Sequence, residues 1–422
     1  MNDENLLKLS PNHPFLAVCI ASFSMKTGVI IRNLWKYDER FENKQWLTDL
    51  LKFNLLNVQQ QQQSSFADCP TSFFQLLEHK ISYFASIFIH QADSCPEYWC
   101  FSLFINDDKA NLKTLYVNTV TQQTCYCGKI VRKFCEENNI NGAMPEVERI
   151  LNMISQLLAP HTFSIEPMKL DAFDINFLGT LITSHLQTQM TTIIESDNKV
   201  EAKLLFDILM NFCLDYQKSL SDKYYRNTIL PFLYVQITWQ QSAIPMNMLW
   251  EFKRPFTWVQ LSQRIVIQSP AIEVQRTAFI ENQNIKTLSL SEEEVKARTA
   301  KISRIYKLNV IRSSEYGVSI ISKLLSVNQK FLDFYTKQIF AKIVQKAVLL
   351  TELCDTIIKS DDIPSREEIH EIDSILDLSD ENPFKKDERG IIISIAAIFN
   401  HNSYKKLFLD RKDKAMYLMS NL

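Results

Sequence analysis

Only six glycines occur in 422 residues, Gly28, Gly128, Gly142, Gly179, Gly317 and Gly390, and the nearest pair in sequence, Gly128 and Gly142, stand fourteen residues apart. A loop that cradles phosphate needs backbone that takes positive φ and comes close to its ligand, which clustered glycines supply. The chain holds neither a GxxxxGK[ST] loop nor a GxGxxG turn, so the nucleotide-dependent folds built around them are set aside. What remains is a fold of strands and helices joined by polar turns.

The strands come first. Phe15 to Trp35, "FLAVCIASFSMKTGVIIRNLW", is two β-rich runs separated by "SMKTG", whose glycine suits a hairpin. "QQQQQSS" at 59–65 has no apolar face to bury and reads as a mobile loop. "ISYFASIFIHQ", "YWCFSLFIND" and "TLYVNTV" are short, aromatic and β-branched, and read as three further strands. "TCYCGKIVRKFCEEN" then has helical spacing, and "PEVERILNMISQLLAP" is an amphipathic helix opened by Pro145. Strands followed by helices predict an α+β layer, with a boundary near Pro160 to Pro167.

Beyond it the pattern alternates. "DINFLGTLITSHLQTQ" predicts a helix with Phe177, Leu178, Leu181, Ile182 and Leu186 on its apolar face. "MTTIIE" reads as a strand, and "NKVEAKLLFDILMNFCLDY" as a helix after the turn "SDN". "TILPFLYVQITW" supplies another strand and 245–268 at least one more. From 271 to 316 the chain is charged, and Ser291 with Glu294 three residues on is a capping-box signature for a helical linker. From 317 the apolar stripe repeats at three and four residues without proline or internal glycine until past 357. The expected fold class is α+β / α/β, divided into 1–162, 163–270, 271–316 and 317–422.

Chemistry-bearing constellations are few. With 46 basic against 48 acidic side chains there is no global field for nucleic acid. The nine cysteines, among them Cys95 with Cys100 and Cys125, Cys127 and Cys135, show no CxxC pair, so buried reduced thiols are expected and no metal. A polar N-terminus and an odd cysteine count point to the cytosol. The longest apolar runs, such as "GIIISIAAIF" at 390–399, are too short to span a bilayer, so no integral membrane segment is expected. Ser184 and His185 are neighbours near a helix end, where they face different ways and a histidine can favour the helix dipole; a structural role is expected. Arg32, on a strand, is a conceivable arginine finger, but a solvated or salt-bridged arginine is the expected role. No catalytic, cofactor-binding or metal-ligating residue is assigned, and no cofactor.

Four pieces carry a likeness: "TGVIIRNLW" at 27–35, "FLGTLITSHLQTQMTTII" at 177–194, "ILPFLYVQITW" at 229–239 and "IDSILDLSDENPFKKDERGIIISIAAIF" at 372–399. In this order they resemble the DENN-type protein of the chromosome 9 open reading frame family, whose human member is linked to amyotrophic lateral sclerosis and frontotemporal dementia. Between the pieces the sequence diverges, most at 240–316. The resemblance implies a longin domain (1–162), sheet with helices, then a DENN module with an α/β part (163–270) and an all-helical part (317–422). It also implies a second, larger DENN protein and a WD-repeat propeller protein as partners, and small GTPases of Rab or Arf type as targets. Autophagy, endosomal trafficking and lysosome homeostasis are the implied setting, with recruitment of a cytoplasmic protein to lysosomes or endosomes. Two roles stay open: a noncatalytic subunit of a GTPase-activating complex, and an autonomous exchange factor, which needs no nucleotide loop of its own.

Overall fold

The computed structural model describes residues 7–10, 13–42, 44–60, 69–92, 95–107, 114–158, 165–239, 245–357, 366–378 and 383–400. The chain divides into two compact units, Met1–Thr162 with Gln283–Lys296, and Phe163–Asn282 with Ala297–Leu422. Among the described residues the fold is mixed α and β with two sheets.

In the first unit, β1 (Phe15–Ser24) and β2 (Gly28–Lys36) form the expected antiparallel hairpin, and Gly28 takes φ +69° at its turn. All ten residues of β1 are buried. An unbroken apolar run instead of alternation requires cover on both faces, and helices provide it. α1 (Lys44–Gln60) lays Leu47, Leu51 and Leu55 over one face, against Cys19, Ala21 and Phe104. β3 (Thr71–Leu76), β4 (Ile81–Ala92) and β5 (Cys95–Asn106) complete the sheet in the order β2-β1-β5-β4-β3. α2 (Thr114–Glu136) and α3 (Met144–Leu158) follow. Gly128 lets α2 come down on β4, since a Cβ there would stand 2.2 Å from Ser86 Oγ.

Three features differ from the sequence reading. "TLYVNTV" opens α2 and is not a strand: Tyr116, Val120, Thr124 and Cys127 recur at three and four residues and are all buried, so packing overrides β-branched propensity. α1 and the edge strand β3 were not foreseen. Gln59 and Gln60 end α1, and the remainder of the glutamine-serine stretch lies outside the described residues.

The second unit begins with α4 (Ile175–Gln187), β6 (Thr192–Ser196), α5 (Lys199–Met210), α6 (Asp215–Ser219), β7 (Asp222–Arg226) and β8 (Val235–Trp239). α7 (Met246–Leu249), β9 (Thr257–Gln260) and β10 (Ile265–Gln268) come next, then α8 (Ile272–Thr287) and α9 (Glu292–Ile305), whose stretch 283–296 belongs to the first unit, and β11 (Asn309–Ile311). The sheet order is β11-β10-β9-β6-β8-β7, with β9, β6, β8 and β7 parallel, β10 antiparallel to β9, and β11 antiparallel to β10 at one side. β6, buried at all five residues, is central. The capping box opens α9, with Ser291 N–H donating to Glu294 Oε2 at 2.8 Å and Glu294 N–H to Ser291 Oγ at 3.3 Å. The 271–316 segment thus holds two helices, α8 and α9, and also adds β11 to the sheet.

The C-terminal part is helical: α10 (Glu315–Leu325), α11 (Leu332–Ile357), α12 (Arg366–Ile375) and α13 (Pro383–Phe399). α10 and α11 are separated by a 3-10 turn at Gln329–Phe331, opened by Asn328, whose side chain accepts from Lys330 N–H. α4 is buried along most of its length, packed on β9 and β10 and by α10 and α13. A Cβ on Gly317 would stand 1.9 Å from Gly179 O, and one on Gly179 2.4 Å from Val318 N, so α4 and α10 touch backbone to backbone.

Candidate functional site

The polar stretch "TSHLQT" closes α4. Asp174 opens the helix by accepting from Asn176 and Phe177 N–H, and Thr188 ends it, its N–H donating to Ser184 O at 2.9 Å. Gln189 and Met190 then both enter the left-handed region, at φ 55° and 59°. Side chains other than glycine seldom go there. The turn is held instead by bonds: Met190 N–H donates to His185 O at 2.8 Å, and Gln217 Nε2 to Gln189 O at 3.2 Å.

Ser184 and His185 are both fully buried and have separate partners. Ser184 Oγ lies 2.7 Å from Thr257 Oγ1, which is 2.8 Å from Thr188 Oγ1. His185 Nδ1 lies 2.8 Å from Thr192 Oγ1, and Nε2 lies 3.6 Å from Cys213 Sγ. Burial lowers the His185 pKa to about 3, against weaker opposing effects of backbone at Phe212 and Leu209. The ring is therefore neutral at pH 7, so the helix-dipole attraction anticipated for a charged histidine does not operate. Burial also pushes the Cys213 thiol far up, which leaves it a poor nucleophile. No hydrogen bond joins the two neighbouring side chains, each of which is engaged elsewhere. Ser184→Ala is expected to lower stability by about 1 kcal/mol, the usual worth of one hydrogen bond, read as a shift in urea midpoint with unchanged slope.

Arg254 ties this network to the next loop. Its Nε donates to Thr191 Oγ1 at 2.8 Å and its Nη2 to Phe232 O and Leu233 O at 2.8 and 2.9 Å, while the guanidinium stacks 3.6 Å from the Tyr234 ring centre. Thr192, Thr257 and Arg254 were not singled out from sequence. Thr257 stands 73 residues from Ser184, and neither carries a local signal of the other.

Beside the network lies a cleft of about 280 Å³, with Gln187, Thr188, Gln268, Ser269, Asn309 and Ser394 in its wall. Gln268 Nε2 donates to Gln187 Oε1 at 3.2 Å. None of the described lining residues is charged. Such a wall supplies hydrogen bonds and shape but no acid, base or counter-charge.

In the first unit, Arg32 sits on β2, at one edge of the sheet. Nε donates to Ser22 Oγ at 2.9 Å, Nη2 pairs with Glu97 at 3.4 Å, and the guanidinium lies 5.1 Å from the Trp99 ring centre. The arginine is thus salt-bridged and held along the sheet. Cys19 and Cys100 are buried, and burial raises both thiols, Cys100 to about 11. Among the described residues no three of His, Cys, Asp or Glu stand together as a metal site, and no helix is long and apolar enough to cross a membrane.

Comparison with individual curated proteins finds no match. The sequence profile of the C9orf72-like protein family matches residues 49–275, more than half of the 422-residue chain and reaching into both units. The match takes in α4, the "TSHLQT" turn, β6 and the strands around it, and on this ground the chain belongs to the C9orf72-like protein family.

Proposed function

We propose that the chain is a noncatalytic subunit of a complex that regulates small GTPases of the Rab and Arf type, acting in autophagy, endosomal trafficking and lysosome homeostasis. Membership of the C9orf72-like family carries this reading. In it, residues 1–162 are a longin domain, 163–270 the α/β part of a DENN module, 271–316 a linker and 317–422 its helical part. A larger DENN protein and a WD-repeat propeller protein complete the assembly, which is cytoplasmic and recruited to lysosomes or endosomes.

The local chemistry agrees with a supporting role. His185 is neutral and enclosed, the cleft wall is uncharged, and Arg32 is engaged by Ser22 and Glu97. β2 ends its sheet and most of its residues are only half-buried, so its backbone edge suits pairing with another longin sheet. Single-turnover GTP hydrolysis and fluorescent-nucleotide release, each with chain alone, partner alone and both, test the proposal. The chain alone should leave both rates within a few-fold of intrinsic, and the pair should raise hydrolysis about 10³-fold or more, the usual worth of a positioned arginine finger. Strong nucleotide release by the chain alone would make it an autonomous exchange factor. Strong hydrolysis by the chain alone, abolished in Arg32→Ala, would place the finger here.

A further inference from the structure

The corner between α10 and α11 exposes what a folded chain ordinarily covers. Phe331 and Phe334 are each 58% exposed, Tyr335 is 48% and Leu325 47% exposed. They fall within "KLLSVNQKFLDFYTK", residues 323–337, together with Lys323, Lys330 and Lys337, all exposed, and one acid, Asp333. None of the three lysines pairs with an acid among the described residues. The 3-10 turn runs straight into α11, so Lys330, Phe334 and Lys337 fall at helical spacing on one face, with Phe331 and Tyr335 beside them. Phe334 and Tyr335 pack edge to face, ring centres 5.7 Å apart. Leu332, Thr336, Phe340 and Ile343 occupy the opposite, buried face, so the aromatics are not core residues turned outward by chance.

Exposed aromatics of this size mark a surface that meets something apolar. The lysines decide what. The core of a protein interface is depleted in lysine, whereas a bilayer surface takes aromatic rings at the level of its headgroups and draws unpaired lysines to anionic lipid. We propose that this corner docks on an anionic phospholipid bilayer, with Phe331, Phe334 and Tyr335 entering the interface and Lys323, Lys330 and Lys337 against the headgroups. The inference stands on exposure and charge and is independent of the GTPase reading.

Flotation of the purified full chain with phosphatidylcholine vesicles, with and without phosphatidylserine, tests it. Binding should require phosphatidylserine and weaken with added salt. Lys330→Glu with Lys337→Glu should reduce it well over tenfold, since each lysine near an anionic surface is worth roughly fivefold and each is here reversed. Phe331→Ser with Phe334→Ser should reduce it by tenfold or more, and both pairs should leave the thermal midpoint within a few degrees because the side chains are exposed. Equal binding to neutral and anionic vesicles, no binding at all, or binding that persists in both variants would overturn the proposal. So would vesicle binding that fails while the same phenylalanine variant loses a co-purifying protein, which would make the corner a protein interface.

Discussion

Gly317→Ala is expected to destabilise the second unit by about 3 kcal/mol, the upper end for overpacking, and to lower its melting temperature by roughly 10 °C. The added Cβ would meet Gly179 O at 1.9 Å and Thr183 Oγ1 at 2.5 Å. A flexible side chain tip could swing aside, but a helical carbonyl cannot. α4 also cannot retreat, because β9 and β10 lie beneath it and α13 packs on it too. The helix-propensity gain of alanine over glycine, about 1 kcal/mol, is too small to offset the clash. Gly390→Ala is the matched control, since the nearest atoms its Cβ would meet belong to the Gln187 side chain, with Nε2 at 3.2 Å and Cδ and Cγ at ordinary contact distance. That variant should be neutral or slightly stabilised. Differential scanning calorimetry compares the two, and similar midpoints for both would refute backbone contact between α4 and α10.

His185 sets the second large effect, on acid stability. Its pKa is 6.5 unperturbed and about 3 in the folded chain. At pH 7 both folded and unfolded forms are neutral at this site, so it makes no pH-dependent difference there. Below 6.5 the unfolded chain takes up a proton that the folded one refuses, and stability falls as pH drops, until about 3. The slope from this residue is about 1.4 kcal/mol per pH unit. Urea midpoints between pH 7 and 4 should therefore fall more steeply in the wild type than in His185→Gln, which keeps a polar side chain but does not titrate. Parallel curves would mean that the imidazole is protonated in the folded state or reached by water.

Much of the fold was legible because local chemistry and packing agree. The first hairpin is written in its β-rich runs and in Gly28, which takes the positive φ its turn needs. α4 was legible because Phe177, Leu178, Leu181, Ile182 and Leu186 form one face, all buried. "TLYVNTV" misled because Val117, Thr119 and Val120 favour strands locally, and the burial of Tyr116 and Val120 against a sheet is a tertiary fact. β3 was overlooked for a related reason. An edge strand with half-exposed residues needs no apolar alternation, and "TSFFQL" shows little. The order "SHLQT" was visible, but its meaning was not. The hydroxyls of Thr192 and Thr257 that engage His185 and Ser184 arrive on separate strands, and no spacing in one sequence announces such a meeting.

The division of the chain into units has a consequence for the order of events at the ribosome. The first unit takes its last piece from 283–296, where Lys286 pairs with Glu146 at 2.9 Å and Lys133 donates to Ile285 O at 3.4 Å. Residues 163–282, which belong to the second unit, are made in between. At ordinary elongation rates the N-terminal sheet waits on the order of ten seconds for that piece. Over the same interval the second unit has its parallel strands but not β11 or the helices that enclose α4. Both units are thus incomplete together, with the Lys133 and Glu146 side of the first and the faces of α4 in the second unshielded, and the nascent chain passes through a window of aggregation risk that no single cut between the units would remove.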